Sequence, residues 1–444
     1  MITKHQYIHN KSGDNQTLNL YVFVCLGILF VIIISSINYY LVYRKSAPLV
    51  FDLQFGFGEL IQSLFKNKSY SSTDGFWTGH RMPIIPYLLL VISFINTSTL
   101  FALIIKNLLV FSISGFSFYI VIRQMGKFGN LLFYSIFIYI CFFPHLILYS
   151  TSLDVEEGYL VHFLALLFAG LFFFDELHLN RHRFFLVALA LLNALLFLTK
   201  SSMLLPAIIL CIAFFLRSNR NLLVLVLFIS LCIAGVLFWG ISNYVHSGKF
   251  TISSSTNGWN FYKGNNPDAL RLYPYYCLDI LDSSEFMKSI RNNNPNEWDI
   301  DKAYFNHAVT FITSHPKDAI NLFGRKAFVF FLEIRKIPIE YSEGETQKST
   351  ERYLFSLVST FGMLIFRILL FSAIFLAFKS LLQNSCIAGQ MLNQKAVNAI
   401  SYLVFIIGYS IPYLFGFAYT RHIVPLIIPT IYYLLWLYRY MRIQ

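Results

Sequence analysis

Long apolar runs alternate with short polar gaps along this chain, and that coarse alternation is its dominant pattern. A helix that crosses a bilayer needs roughly 20 predominantly apolar residues. Runs of this kind lie at 18–43, 99–122, 129–150, 158–174, 184–199, 203–216, 221–241, 353–378, 397–418 and 423–438. Those at 184–199 and 203–216 are short and meet at Lys200, Ser201 and Ser202, with Pro206 following, so they read as a tight hairpin or a broken helix. The first run is too long for the apolar core of a signal peptide and no small-residue cleavage site follows it, so a retained anchor is expected.

The gaps set an orientation. With the N-terminus in the cytoplasm, the gaps holding Arg123 and Lys127, Arg181 and Arg183, Arg217 and Arg220, Lys379 and Lys395, and Arg439 and Arg442 all fall inside, as the positive-inside rule requires. This holds only if 84–96 does not cross, because one more span would invert every later gap. Pro83 and Pro86 suit the start of a re-entrant or surface-lying helix. A short crossing hidden within 86–123 is the alternative. On this topology 44–83, 151–157, 242–350 and 419–422 lie outside, and the polar stretch 242–350, rich in Asn, Tyr and Asp, predicts a small folded cap. The expected organisation is an N-terminal transmembrane module at 1–241 with its first external loop at 44–98, the cap at 242–350, and C-terminal helices at 351–444. No internal repeat of fixed period is visible.

Composition sharpens the class. Of 444 residues 57% are apolar and only 13% charged, against about 25% charged in soluble domains, and the mean hydropathy is +0.60. An all-α polytopic membrane protein is predicted, and disordered, collagen-like and ordinary soluble-enzyme classes are excluded. The net charge of +12 sits mainly in the short gaps, where it orients helices, and no groove-reading or base-stacking motif accompanies it, so no nucleic-acid partner is expected. Cys25, Cys141, Cys211 and Cys232 fall inside apolar runs while Cys277 and Cys386 stand alone, leaving neither a disulfide framework nor a CxxC site. His145, His162 and His178 show no ligand spacing.

Candidate chemistry begins at Asp52, just past the first run in Phe51-Asp52-Leu53-Gln54-Phe55-Gly56-Phe57-Gly58-Glu59. A carboxylate among apolar residues at a membrane face is costly to bury without a cation or a task. The plain reading is that Asp52 and Glu59 are solvated interfacial acids. Farther on come Leu64-Phe65-Lys66-Asn67-Lys68-Ser69-Tyr70 and His80-Arg81-Met82-Pro83-Ile84-Ile85-Pro86. Here the sequence resembles the GT-C glycosyltransferases, especially family 39 and the dolichyl-phosphate-mannose protein mannosyltransferase group. That group places an Asp after its first span, an amphipathic segment, then Arg-x-Pro-x-x-Pro. Phe55 or Phe57 stands where the family has Tyr, and the glycines of its turn are absent, so Glu59 remains a rival to Asp52.

The series Asn243-Tyr244, Gly248-Lys249-Phe250, Ser255-Thr256-Asn257-Gly258 and Gly264-Asn265-Asn266-Pro267 resembles one that follows a late span in bacterial members. Leu198-Thr199-Lys200 and Tyr419-Thr420-Arg421-His422 resemble two further family elements at outer helix ends. The resemblance covers about the first 270 residues and the last 50 by order of elements. It implies a GT-C-type bundle of about ten transmembrane helices with re-entrant or juxtamembrane helices and a small external cap. It also implies inverting transfer of a sugar from a polyprenyl-phosphate donor, with Asp52 as base and no nucleotide-sugar site. Asp154, Glu156 and Glu157 stand where members carry an assisting acid, and a solvated loop is the equal alternative.

Lipid-linked sugar transfer needs a carboxylate to take the acceptor proton and cations to hold the departing phosphate. Lys200, Arg421, Arg81 and His422 are the candidates for the phosphate. Any single Lys or Arg at a helix end is more often a snorkelling anchor, yet cations on the outer face need an anionic partner. His80, Asn257, Asn260, Asn265 and Asn266 are the candidate substrate-binding residues. No cofactor is expected; carboxylate oxygens suit Mg or Mn, but nothing in the spacing requires a metal. The acceptor is expected to be an envelope glycan such as lipopolysaccharide or O-antigen, a lipid-linked sugar, or a protein. The rival classes are a glycan polymerase or ligase using an oligosaccharyl-lipid, and a flippase for such a lipid, which would show charged or broken helices near the midplane and repeat symmetry.

Overall fold

The structure, a computed structural model, describes residues 27–54, 56–72, 78–125, 144–174, 183–218, 220–275, 278–294, 296–334, 349–385 and 394–443. They are helical, with one isolated antiparallel bridge between Leu49 and Ser98. Six helices are long and apolar enough to cross a membrane: α4 (Thr99–Met125), α6 (Glu156–Phe173), α9 (Leu222–Ser247), α15 (Ser349–Ser385, apolar over Leu357–Gln383), α16 (Gln394–Phe415) and the stretch Arg421–Arg442 containing α17 (Ile427–Ile443). They mark a multi-pass membrane protein. Shorter apolar helices are α1 (Gly27–Tyr43), α3 (Ile84–Ser93), α7 (Arg183–Thr199) and α8 (Leu204–Arg217). Most of the expected run at 129–150 lies outside the described residues, which include only α5 (Pro144–Thr151) there.

Helix α6 is apolar on every face and is the helix around which the others pack. Such a sequence is stable only when enclosed: all but its first residue are buried, and α4, α7 and α17 surround it. The pair α7 and α8 forms the expected hairpin through a single 3-10 turn at Ser201–Met203. Asn193 of α7 donates to Ala207 O at 3.0 Å across it.

Ile84–Ser93 is short for a crossing by a single helix. Ten residues rise about 15 Å, half of a roughly 30 Å hydrocarbon layer. After α3 the chain returns to its starting end, where Val50 N donates to Thr97 O at 2.9 Å and Thr99 N to Pro48 O at 3.1 Å.

That same end carries α2 (Phe57–Asn67) and a helical cap: α10 (Asn257–Gly264), α11 (Pro267–Leu272), α12 (Glu285–Asn293), α13 (Glu297–Ser314) and α14 (Pro316–Phe331). The local sequence explains these short helices. Asn266, Ser284 and Asn296 accept from the first-turn N–H groups of α11, α12 and α13 as N-caps. Pro267 and Pro316 open α11 and α14, where a missing N–H costs nothing.

The cap docks on the bundle backbone to backbone. A Cβ on Gly264 would collide with the carbonyl of Gly416, just past α16. Lys326 donates beside it to Asn265 Oδ1 at 2.9 Å and Phe415 O at 3.2 Å. We expect Gly264→Ala to undock the cap while the spans stay inserted, read as faster limited proteolysis within 257–331 and unchanged membrane extraction.

Candidate functional site

The end of α6 nearest the cap holds a buried charge cluster. Glu157, 2% exposed in its side chain, contacts the ammonium of Lys200, which also lies 3.7 Å from Glu156 Oε2. Both acids sit in the first turn of α6, where the helix dipole favours negative charge. Arg81 Nη1 reaches Glu156 Oε1 at 3.5 Å. His422 Nε2 lies 3.7 Å from Glu157 Oε1. Its Nδ1 accepts from Tyr419 N at 3.1 Å, which assigns the proton of the neutral ring to Nε2, facing the carboxylate. Arg421 acts on Glu157 electrostatically from the same turn. Tyr413 stacks on His422 at 4.4 Å and lies under Lys200 at 5.5 Å. Burial pulls the Lys200 ammonium down, but Glu157, with Tyr413 and Glu156, overrides it, so Lys200 ends above its ordinary pKa and stays charged.

The four expected phosphate-binding residues thus come together from three separated segments of sequence. Lys200 finds its anionic partner within the chain, in Glu157.

Asp154 is drawn elsewhere. Its Oδ1 accepts from Tyr43 OH at 2.5 Å, and the same hydroxyl accepts from Leu153 N at 3.1 Å, tying the end of α1 to the start of α6. Burial raises the Asp154 pKa and the Tyr43 hydrogen bond opposes that rise. Lys106 of α4 donates to Ser150 O at 2.7 Å and Ser152 O at 3.0 Å, bracing the bend below it.

The two candidate bases separate. Asp52 is exposed and closes its own 3-10 turn, with Oδ2 accepting from Leu49 N at 3.0 Å. Glu59, also exposed, lines a cavity of about 270 Å³ together with Ser72 and His80. The cap supplies the facing wall through Trp259 and Arg291. Gly56 sits at φ +78° on the near side, and a Cβ there would stand 2.9 Å from His80 Cδ2, so both backbone conformation and space call for glycine.

His80 and Arg81 are held by a residue the sequence did not flag. Glu297, 1% exposed, accepts from Thr78 N at 2.7 Å, Thr78 Oγ1 at 2.5 Å and Gly79 N at 2.9 Å, and its other oxygen accepts from Ser255 Oγ at 2.5 Å. Tyr70 OH donates to Arg81 O at 2.8 Å, and the guanidinium lies 4.8 Å above the Phe57 ring of α2. Arg81 therefore stands between the cavity and the charge cluster.

The asparagines divide differently from expectation. Asn257 and Asn260 are exposed, and Asn257 Oδ1 accepts from Ser201 Oγ at 3.1 Å. Asn265 and Asn266 are instead tied into the backbone of the cap and the bundle. Both are buried, Asn265 donates to Phe261 O and Phe415 O, and Asn266 caps α11 through Ala269 N. Trp259 and Arg291, which form the cap wall, carried no spacing signal; Trp259 lay inside a motif read for its Asn and Gly. Among the described residues no three His, Cys, Asp or Glu side chains gather to hold a metal. Comparison with protein-family models, with curated proteins and with solved structures finds no match for this chain.

Removing one partner of a buried ion pair costs about 3–5 kcal/mol, because a charge is left uncompensated. Glu157→Gln should therefore lower the thermal stability of the detergent-solubilised protein by that order. Glu156→Gln, at a side chain 21% exposed, should cost far less. The double change Glu157→Gln with Lys200→Met should recover part of the loss, and simple additivity would remove the pair from the account.

Proposed function

We propose that this protein is a GT-C-type membrane glycosyltransferase that moves a sugar from a polyprenyl-phosphate donor to an acceptor hydroxyl at the outer face of the cytoplasmic membrane. One observation carries the reading: Arg81, Lys200, Arg421 and His422 converge around Glu156 and Glu157, at the bundle end that also carries Asp52 and Glu59. Arg81, Lys200 and Arg421 are the cations available to an arriving phosphate, balanced by Glu156 and Glu157 and, from farther off, by Asp154 on Arg81 and Asp279 on Arg421.

In the proposed step the acceptor oxygen attacks the anomeric carbon while a carboxylate takes its proton. The bond from that carbon to the phosphate oxygen breaks, the polyprenyl phosphate leaves, and configuration inverts. The developing phosphate charge falls to Arg81, whose side chain is 23% exposed against 18% for Lys200 and whose carboxylate partner Glu156 is the less buried of the two acids. Glu59 opens on the cavity and is the stronger candidate for base. Asp52 keeps one carboxylate oxygen clear of the Leu49 hydrogen bond and remains its rival.

The test is transfer by purified protein in nanodiscs, supplied with a panel of polyprenyl-phosphate monosaccharides and an envelope extract. Loss of the base should lower turnover by about 100- to 10,000-fold, so either Glu59→Gln or Asp52→Asn should abolish incorporation while the other retains it. Arg81→Ala should weaken use of the donor. No incorporation from any monosaccharide donor by folded protein, with turnover of an oligosaccharyl-lipid instead, would replace this reading with the polymerase. Orientation is checked separately with a cysteine at Arg271, whose side chain is 77% exposed on the cap. It should label with an impermeant thiol reagent in intact cells, and labelling only after permeabilisation would invert the topology.

A further inference from the structure

We infer that α14 descends from the cap into the outer leaflet, and that its exposed edge is a surface for the acyl chains of lipids. The inference needs only a multi-pass protein and does not depend on the transferase reading. It shortens the stretch expected outside, 242–350, by placing the end of α14 within the bilayer.

Depth is read from two neighbouring spans. The Phe323 ring lies 5.7 Å from that of Phe415, the last residue of α16. Farther along α14, Phe330 stacks on Tyr413 at 5.6 Å and lies 6.3 Å from Tyr409. Helix α14 therefore runs down α16 from its outer end, and Tyr409 is about 9 Å inside that end at the rise of an α-helix. The second marker is Arg367, about 15 Å along the apolar stretch of α15 that begins at Leu357. Its guanidinium donates to Phe330 O at 2.6 Å and to Glu333 O at 2.9 Å.

That contact gives the buried cation its task. The last carbonyls of a helix have no partner within it, and inside hydrocarbon no water serves them. A guanidinium at this end donates to those carbonyls and meets the negative pole of the helix. Had α14 ended in water, solvent would supply the donors and Arg367 would be a costly charge in a span.

The exposed edge has the chemistry of a lipid contact. Ile320, Phe323, Phe328 and Leu332 are exposed while Leu322, Lys326, Val329 and Phe330 face the protein. Arg325 turns inward to Leu270 O at 2.6 Å and Tyr273 O at 2.9 Å. Past Lys317 in the first turn, the exposed positions of α14 carry no charge. Continuity identifies the occupant: Val404, Ile407, Ile411 and Phe415 form an exposed stripe at helical spacing along the span α16, and the Phe323 contact joins α14 to its end.

Nitroxide labels test this in the full-length protein, with native cysteines replaced by alanine, in nanodiscs of phosphatidylcholine and phosphatidylglycerol. Each of Phe323→Cys, Phe328→Cys and Leu332→Cys is compared for collision with oxygen, which partitions into hydrocarbon, and with a nickel chelate, which stays in water. Oxygen should dominate at Phe328 and Leu332, as at Ile407→Cys on α16, and the ratio should rise from Phe323 to Leu332. The nickel chelate should dominate at Arg271→Cys on the cap. Nickel access at Phe328 and Leu332 equal to that at Arg271 would overturn the inference in favour of a wholly external cap. A ratio that is flat along the three positions would overturn it in favour of a helix lying on the membrane surface. Low access to both reagents would overturn it in favour of a second copy of the chain, or another protein, covering this edge.

Discussion

A carboxylate at the head of a fully enclosed helix is the constraint on which this end of the molecule depends. Glu157 cannot reach water, and an ionised carboxylate removed from water is tolerated only with opposite charge and hydrogen bonds close by. The chain answers with Lys200 from the turn between α7 and α8 and His422 from the turn before α17. Each partner fixes an element. Satisfying Glu157 therefore sets where α6, the α7–α8 hairpin and the 420–426 turn meet, and the neighbouring Glu156 extends the same contact to Arg81 and the segment leading into α3.

The cap closes over this end by a related device. Glu297 and Asp301 both lie on α13 and both accept from backbone N–H groups of other segments, Glu297 from Thr78 and Gly79 and Asp301 from Gly258 and Trp259. Burial raises the Asp301 pKa to about 7, against the pull of those two N–H groups. One helix thus holds both the loop that presents His80 and Arg81 and the N-terminus of α10 that presents Trp259. The two walls of the cavity are positioned from a common support, so its width follows from α13 and not from the flexibility of either loop.

How much of this was legible in sequence depends on the range of the interaction. Six of the ten apolar runs return as helices long enough to cross a membrane, because apolar length is a local property, and 84–96 contains a helix of ten residues that Pro83 precedes. The cations Arg81, Lys200, Arg421 and His422 could be named from motif order. Their partner could not: Glu157 looks the same as Glu156 and Asp154 in a run of acids, and only the packing of α6 decides which is enclosed. The surroundings of Asn265 and Asn266 were hidden for a similar reason. An Asn pair ahead of Pro is turn and cap chemistry, and here Asn266 caps the helix that follows while Asn265 donates to Phe261 O and to Phe415 O far along the chain, a contact that sequence order does not announce.

The charge cluster also divides by exposure, and that division bears on how a phosphate could enter it. Glu157 and Lys200 form the tighter and drier pair, and separating them would strand a charge in the core. Glu156 and Arg81 meet at 3.5 Å with side chains 21% and 23% exposed, close to the regime where an ion pair contributes about 1 kcal/mol or less. An arriving anion can take Arg81 from Glu156 at small cost and cannot take Lys200 from Glu157. On the transferase reading, Glu157 with Lys200 is then the fixed part of the site and Glu156 with Arg81 the exchangeable part, with Glu156 holding the guanidinium in place until the donor phosphate replaces it.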